Sequence, residues 1–235
     1  MEKQTIINSY EQSRPAAFAT LFKNVYLWMT FALVVTGMTA AYIASNEQLA
    51  TAILANRGLF FGLLIAELAL VWILSSRIMT MSFATAGMMF AAYSVLNGAT
   101  MSVLFLAYTM ESIATTFFIT AGTFGTMAVV GYTTKTDLSS YGKMFLMALI
   151  GLIIASVVNI FMQSTMLYWI ISYVGVLIFV ALTAYDTQKI KMMLIEHGGE
   201  VNEQTQKLAL LGSLTLYLDF INLFIYMLRI FGDRK

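Results

Sequence analysis

The sequence predicts an all-α, polytopic membrane protein with seven transmembrane helices. Its 235 residues are 60% hydrophobic and 11% charged, whereas an ordinary soluble domain is about 45–50% apolar and about 25% charged. Sixty per cent of this chain is about 141 residues, and seven spans of about 20 residues each need roughly 140. A soluble domain of this composition would lack the polar residues that cover a protein surface.

Seven apolar segments support this fold class, because each is long enough to cross the hydrocarbon core as a helix and none alternates like a strand. Residues 1–22 precede them and predict a polar N-terminal tail, so that residues 23–235 form the seven-helix domain. Residues 187–207 predict the longest loop. The segments cover residues 25–44, 59–76, 83–108, 113–132, 142–162, 166–185 and 208–231.

The positive charges predict the orientation of the chain in the membrane. Nine of its thirteen Lys and Arg residues fall on the side of the N-terminal tail, and four fall on the opposite side. Cytoplasmic loops carry the excess of positive charge in membrane proteins. We therefore expect the N-terminus to lie in the cytoplasm and, after seven spans, the C-terminus to lie outside.

The remaining composition excludes several classes of site. A formal charge of +1 provides no basic field for nucleic acid. The lack of Cys excludes disulfides, thiolate metal sites and cysteine nucleophiles, and a single His leaves no zinc cluster. The sequence contains no P-loop. We therefore expect no cofactor and no nucleic-acid partner.

The last segment carries the strongest functional pattern. Asp219 lies near its middle, and an ionisable group inside a span is costly enough to indicate function. At 100° per residue, one arc of about 80° on this helix holds Thr215, Asp219, Asn222, Tyr226 and Arg229. So polar a stripe cannot face lipid, and we expect the last helix to lie inside the bundle. Thr215, Asn222 and Tyr226 are then candidates for an ion pathway.

Asp186 ends the sixth segment, in VALTAYDTQKI. It is either a helix-end residue in contact with water or an inward carboxylate that faces Asp219. Two carboxylates close together in a low dielectric cannot both ionise cheaply, so a pair would titrate as a unit and sense protons near neutral pH. When ionised, the pair would offer oxygen ligands to a hard divalent cation.

Glu67 is a second intramembrane acid, in the middle of the second segment. Two interpretations stay open for it: a protonated carboxyl group bonded between helices, and a place in an ion pathway. Asn97, with Tyr93 and Thr100, forms a polar face on the third segment. For that face we expect hydrogen bonds between helices.

Four long motifs occur in order along the chain: GYTTKTDLSSYG (131–142), LIGLIIASVVNIF (149–161), AYDTQKI (184–190) and LTLYLDFINLF (214–224). Together they resemble the transmembrane Bax inhibitor motif family, also called the Bax inhibitor-1 family, in its bacterial inner-membrane branch. The resemblance implies seven helices with the last surrounded by the other six. It also implies a pH-dependent calcium leak controlled by two aspartates, which map onto Asp186 and Asp219.

The same resemblance implies a latch arginine at the end of the second helix, which corresponds to Arg77, and an acidic residue in that helix, which corresponds to Glu67. An Arg close to an ionised aspartate pair would hold it and close a pore. We therefore expect a pH-sensitive leak for Ca²⁺ or other cations. In it, Asp186 and Asp219 serve as proton sensor, gate and calcium ligands.

Two other functions are alternatives. Two aspartates on consecutive helices are typical of intramembrane aspartyl proteases, whose dyad shares one proton. However, Asp219 follows Leu216, Tyr217 and Leu218 rather than the glycine-containing GxGD run of that class. Its proline-containing loop is also impossible here, because the only proline is Pro15, so we do not expect an enzyme. The resemblance also implies a regulatory protein that binds and restrains a membrane-anchored ATP-dependent protease, with the N-terminal tail as its contact.

Overall fold

The computed structural model describes residues 15–197 and 200–235. In these ranges it is almost entirely helical and contains no β-strand. Seven helices are long and apolar enough to cross a membrane, which confirms the predicted fold class. The helices are α1 (Pro15–Ser45), α2 (Glu47–Ala55), α3 (Arg57–Arg77), α4 (Phe83–Ala107), α5 (Met110–Thr133), α6 (Gly142–Met162), α7 (Thr165–His197) and α8 (Glu203–Phe231).

The first helix begins earlier than its apolar segment. Residues 15–22, which the sequence placed in the N-terminal tail, form the first turns of α1. Pro15 occupies the first helical position, where a missing N–H costs nothing, and the following residues favour helix. Residues 1–14 of the predicted tail lie outside the described residues.

The predicted loop at residues 187–207 is wrong. Helix α7 continues to His197 and α8 starts at Glu203, so only residues 198–202 separate them. The apolar run ends at Tyr185, but the helix continues as an amphipathic one that buries Ile190, Leu194 and Ile195. Hydropathy detects the part of a helix that is apolar all round and misses such an extension.

The chain divides into two compact units. The first contains the chain up to Ala107, with Ile190–Tyr217 and Lys235. The second contains Tyr108–Lys189 and Leu218–Arg234. Helices α7 and α8 each contribute residues to both units.

Close helix contacts form the core of the first unit. A Cβ atom at Gly98 of α4 would lie 2.6 Å from the carbonyl oxygen of Thr36 on α1. Only glycine allows these two helices to approach so closely. Around this contact, the rings of Phe90 and Tyr93 each meet the Tyr217 ring edge-on, with centroids 5.8 Å apart.

Helix α8 is the most buried of the seven spans. In its most apolar window, 67% of residues are buried, against 44% or less in every other span and 6% in the span that includes α6. Apolar side chains that stay exposed on membrane-spanning helices face lipid. The burial of α8 confirms the expected interior position of the last helix.

Candidate functional site

Asp186 and Asp219 lie together in the second unit. Asp186 is on α7 and Asp219 is on α8, and their side chains are 8% and 5% exposed. The two carboxyl groups lie close enough to interact with each other. Because an ionised carboxylate has no donor, a direct hydrogen bond between the two groups would require a proton on one of them. The structure therefore brings together the two acids that the sequence singled out, and Asp186 is not merely a water-exposed helix end.

The pair is incompletely hydrogen-bonded. Oδ2 of Asp219 is buried without a hydrogen-bond partner, and so is the hydroxyl of Thr187, next to Asp186. In the described ranges only one further buried side-chain polar atom lacks a partner, the hydroxyl of Thr116, also in the second unit. Such an atom costs about 1–3 kcal/mol. Because these atoms are rare in folded proteins, each one calls for an explanation, such as a functional role or an additional ligand.

Two glycines of the GYTTKTDLSSYG motif allow close packing around Asp186. A Cβ atom at Gly131 would collide with the backbone of Ala184, two residues before Asp186. At the other end of the motif, a Cβ at Gly142 would lie 2.5 Å from the hydroxyl of Tyr185. A larger residue at Gly131 would push the backbone of α7 away, whereas one at Gly142 would displace the Tyr185 side chain, so Gly131 sets the depth at which Asp186 sits.

Gln188 fixes the same loop to α7, two residues after Asp186. Its Nε2 donates to the carbonyl oxygen of Thr136 at 2.8 Å, and its Oε1 accepts from the backbone N–H of Leu138 at 2.8 Å. The sequence alone did not single out Gln188 for this role. The one signal was that Gln188 and the loop that it contacts belong to two of the motifs noted in the sequence, AYDTQKI and GYTTKTDLSSYG.

Lys189 is a charged neighbour of the pair. Lys189 acts electrostatically on Asp186, and its Nζ lies 5.9 Å from the centroid of the Tyr185 ring. In the described part of the chain, neither aspartate forms a salt bridge. Arg77 lies exposed at the end of α3, and among the described residues its guanidinium group forms no hydrogen bond or ion pair. Its latch role stays a prediction.

Two of the three predicted ion-pathway residues of α8 bond to carbonyl groups of their own helix, and the third stacks on a ring of α7. Thr215 donates to the carbonyl oxygen of Leu211 at 3.2 Å, and Asn222 donates to that of Leu218 at 2.8 Å. Tyr226 stacks on Phe179, with centroids 5.8 Å apart. None of these contacts tests conduction, so the pathway stays a prediction.

Glu67 lies in the first unit in a different environment. Its Oε1 accepts from the Thr100 hydroxyl at 2.8 Å and its Oε2 from the Asn97 amide at 3.2 Å. Asn97 in turn accepts from the Tyr217 hydroxyl at 3.0 Å, and that hydroxyl lies 2.6 Å from the Thr36 hydroxyl. Every member of this network is buried. The sequence identified Glu67, Asn97 and Thr100, but gave no signal for Thr36 or Tyr217.

No group of three or more His, Cys, Asp and Glu side chains forms a metal site within the residues that the structure describes. Asp186 and Asp219 together supply at most four carboxylate oxygens, whereas Ca²⁺ takes six to eight oxygen ligands. A cation at this pair would keep much of its coordination from water, hydroxyl or backbone oxygens.

Comparison with known proteins places the chain in a family. The family described as "Inhibitor of apoptosis-promoting Bax1" matches residues 18–235. The inner membrane protein YbhL of Escherichia coli K12 is 48% identical over 220 residues, 94% of each chain. Proteins of Borreliella burgdorferi and Deinococcus radiodurans are 42% and 41% identical, over 92% of this chain and 94% and 91% of theirs. The chain therefore belongs to the Bax inhibitor-1 family of multi-pass membrane proteins.

Proposed function

We propose that this protein is a calcium leak of the bacterial inner membrane and that proton occupancy of Asp186 and Asp219 controls it. The observation that carries the proposal is the buried pair of neighbouring carboxyl groups, one oxygen of which has no hydrogen-bond donor. The inner-membrane location is proposed from the name of the Escherichia coli relative, and a cytoplasmic N-terminus from the distribution of Lys and Arg.

The chemistry of the pair provides two states. With one shared proton, the carboxyl groups bond to each other and tie α7 to α8. Without that proton, two negative charges repel each other in a low dielectric and offer oxygen ligands to a divalent cation. A pair that changes both its charge and its contact between helices can couple pH to flux.

The proposal requires a site that binds a cation weakly. Weak, incomplete coordination lets a cation leave as well as enter. The unpaired Thr187 hydroxyl adds a neutral oxygen beside Asp186, and the loop fixed by Gln188 keeps that part of α7 in place. Glu67 is not required by this proposal, because both of its carboxylate oxygens already have donors.

The experiment is Ca²⁺ flux into dye-loaded liposomes that contain purified protein, measured from pH 6 to 8. Wild type is compared with Asp186→Asn and Asp219→Asn, which keep the shape of the side chain and remove its ionisation. Glu196→Gln, an exposed carboxylate on α7, is the matched control. We expect pH-dependent flux in wild type and Glu196→Gln, and loss of the pH dependence in both Asp variants. Background flux at every pH from folded wild-type protein would refute the leak.

The alternative function, restraint of a membrane-anchored ATP-dependent protease, assigns the contact to the N-terminal tail. Residues 1–14 of that tail lie outside the described residues. The same variants separate the two functions. A regulator that acts only through its tail tolerates Asp219→Asn, whereas a leak gated by the pair does not.

A further inference from the structure

A cavity of about 540 Å³ opens in the second unit, where α6 ends, α7 begins and α8 ends. No carboxylate lines it. The polar side chains that line it include Asn159, Gln163, Ser164, Tyr168, Arg229 and Arg234. Arg229 is ten residues after Asp219 on α8, which is about 15 Å along the helix. The cavity is therefore separate from the aspartate pair.

Two guanidinium groups meet at one tyrosine ring in this cavity. The Cζ atoms of Arg229 and Arg234 each lie 5.6 Å from the centroid of Tyr168, and Arg234 donates to the Tyr168 hydroxyl at 2.9 Å. Arg229 also lies 5.1 Å from the Tyr226 centroid. Within the described residues, neither arginine forms a salt bridge. Two positive charges are thus held at one ring without a carboxylate to balance them.

The backbone fixes Arg234 in this position. Arg234 forms an antiparallel bridge with Tyr108, and the N–H of Thr109 donates to the carbonyl oxygen of Asp233 at 3.1 Å. The Asp233 carboxylate accepts from the Ser112 hydroxyl at 3.4 Å. The hydrogen bond with Tyr108 raises the pKa of Arg234 above its usual value. The charge of Arg234 is therefore permanent.

Neutral donors complete the lining of the cavity. Asn159 accepts the backbone N–H of Ser164 with Oδ1 at 3.0 Å, which leaves its amide N–H groups for another partner. The Ser164 Oγ accepts from the N–H of Leu167 at 3.3 Å, which leaves its own O–H to donate. The cavity thus offers several donors and two cations to a single ligand.

We propose that this cavity binds the phosphate group of an anionic ligand at the membrane interface. Arginine presents a planar fork of donors that matches phosphate oxygens, and stacking on tyrosine preorganises it. The volume exceeds that of a bare phosphate and accommodates a headgroup. Exposed Phe161, Met166 and Trp169 lie beside the cavity at the helix ends, the depth at which lipid headgroups and aromatic residues are found.

Equilibrium binding to the purified protein in detergent tests the site. The probes are short-chain phosphatidylglycerol, inorganic phosphate, and a diacylglycerol of the same chain length, which lacks the phosphate. The variant is Arg229→Gln with Arg234→Gln, and the matched control is Arg57→Gln, an exposed arginine at the start of α3. We expect phosphatidylglycerol to bind wild type and the control, and to bind the double variant at least about tenfold more weakly.

The probes also identify the source of the phosphate. If inorganic phosphate does not compete with phosphatidylglycerol, the ligand is a lipid headgroup, and if it competes, the site takes a soluble phosphate. Equal affinity of phosphatidylglycerol for wild type and the folded double variant would overturn the proposal, as would equal binding of diacylglycerol. If circular dichroism shows that the double variant is unfolded, Arg234→Gln alone, at an exposed residue, gives the same comparison.

Discussion

The protein contains two buried acidic sites that differ in how their oxygens are satisfied. In the first unit, each carboxylate oxygen of Glu67 has a neutral donor, from Thr100 or Asn97. In the second unit, the partner of Asp219 is another acid, Asp186, and Oδ2 of Asp219 has no donor. The sequence marks all three acids as costly. Only the structure separates an acid whose bonding is complete from a pair that needs a proton or a cation.

This difference has an energetic reason. A completely bonded polar network stiffens the helices that share it and gains nothing from a further ligand. A pair with an unpaired oxygen is less stable than it would be with a ligand, so proton or cation binding changes its free energy most. The position of an acid inside a span therefore does not by itself identify a functional group.

The largest effect is expected from displacing Asp186 without changing either carboxyl group of the pair. Gly131→Ala forces a Cβ into the backbone of Ala184 and displaces Asp186. We expect a loss of about 1–3 kcal/mol in the free energy of unfolding and a lower pH-dependent flux, because the displaced Asp186 no longer meets Asp219 in the same geometry. Gly125→Ala on the same helix is the control, because a Cβ there meets nothing within 4 Å. Equal flux from both variants would contradict the positioning role.

Glu67 is expected to affect stability and not gating. Glu67→Ala leaves the donors of Asn97 and Thr100 without their acceptor, so we expect a loss of about 1–2 kcal/mol, measured by denaturant unfolding. Glu67→Gln keeps one acceptor and should lose about half of that. Both variants should keep the wild-type pH profile of Ca²⁺ flux. A profile that disappears in Glu67→Gln would place this acid in the ion pathway.

The smallest effect is expected from a matched pair of threonines on α7. Thr187→Val removes a hydroxyl that has no partner, so the free energy of unfolding should stay within about 0.5 kcal/mol of wild type or rise. Thr183→Val removes a hydroxyl that donates to the carbonyl oxygen of Phe179 at 2.7 Å, and should cost about 1 kcal/mol. If Thr187→Val is the more destabilised of the two variants, the Thr187 hydroxyl is hydrogen-bonded in the wild-type protein. The contrast between the Glu67 site and the aspartate pair then becomes smaller.

The sequence predicted the elements better than their contacts. Seven spans, an interior last helix and the two aspartates follow from hydropathy, from a polar stripe and from motifs. Gln188 bonds to the loop after α5, which lies 50–52 positions earlier in the chain. Tyr217 bonds to Asn97, which lies 120 positions earlier. No periodicity reports such contacts, because it shows which face of a helix is polar but not which helix lies opposite.

The length of α7 was missed for a related reason. Residues beyond Tyr185 carry lysines and glutamine, so their mean hydropathy falls, although one face stays apolar. A search for a period of 3.6 residues, rather than for apolar runs, would have extended the helix. The contact between Thr36 and Tyr217 had no such signal, because the two residues lie on helices that the sequence does not connect.

The shared proton is the central claim, and infrared difference spectroscopy of reconstituted protein tests it most directly. The carbonyl band of a protonated carboxyl group is followed from pH 5 to 9 in wild type, Asp219→Asn and Glu67→Gln. We predict that this band disappears as the pH rises in wild type and in Glu67→Gln. In Asp219→Asn we predict no band that changes with pH. A titrating band that persists in Asp219→Asn and is lost in Glu67→Gln would contradict the account.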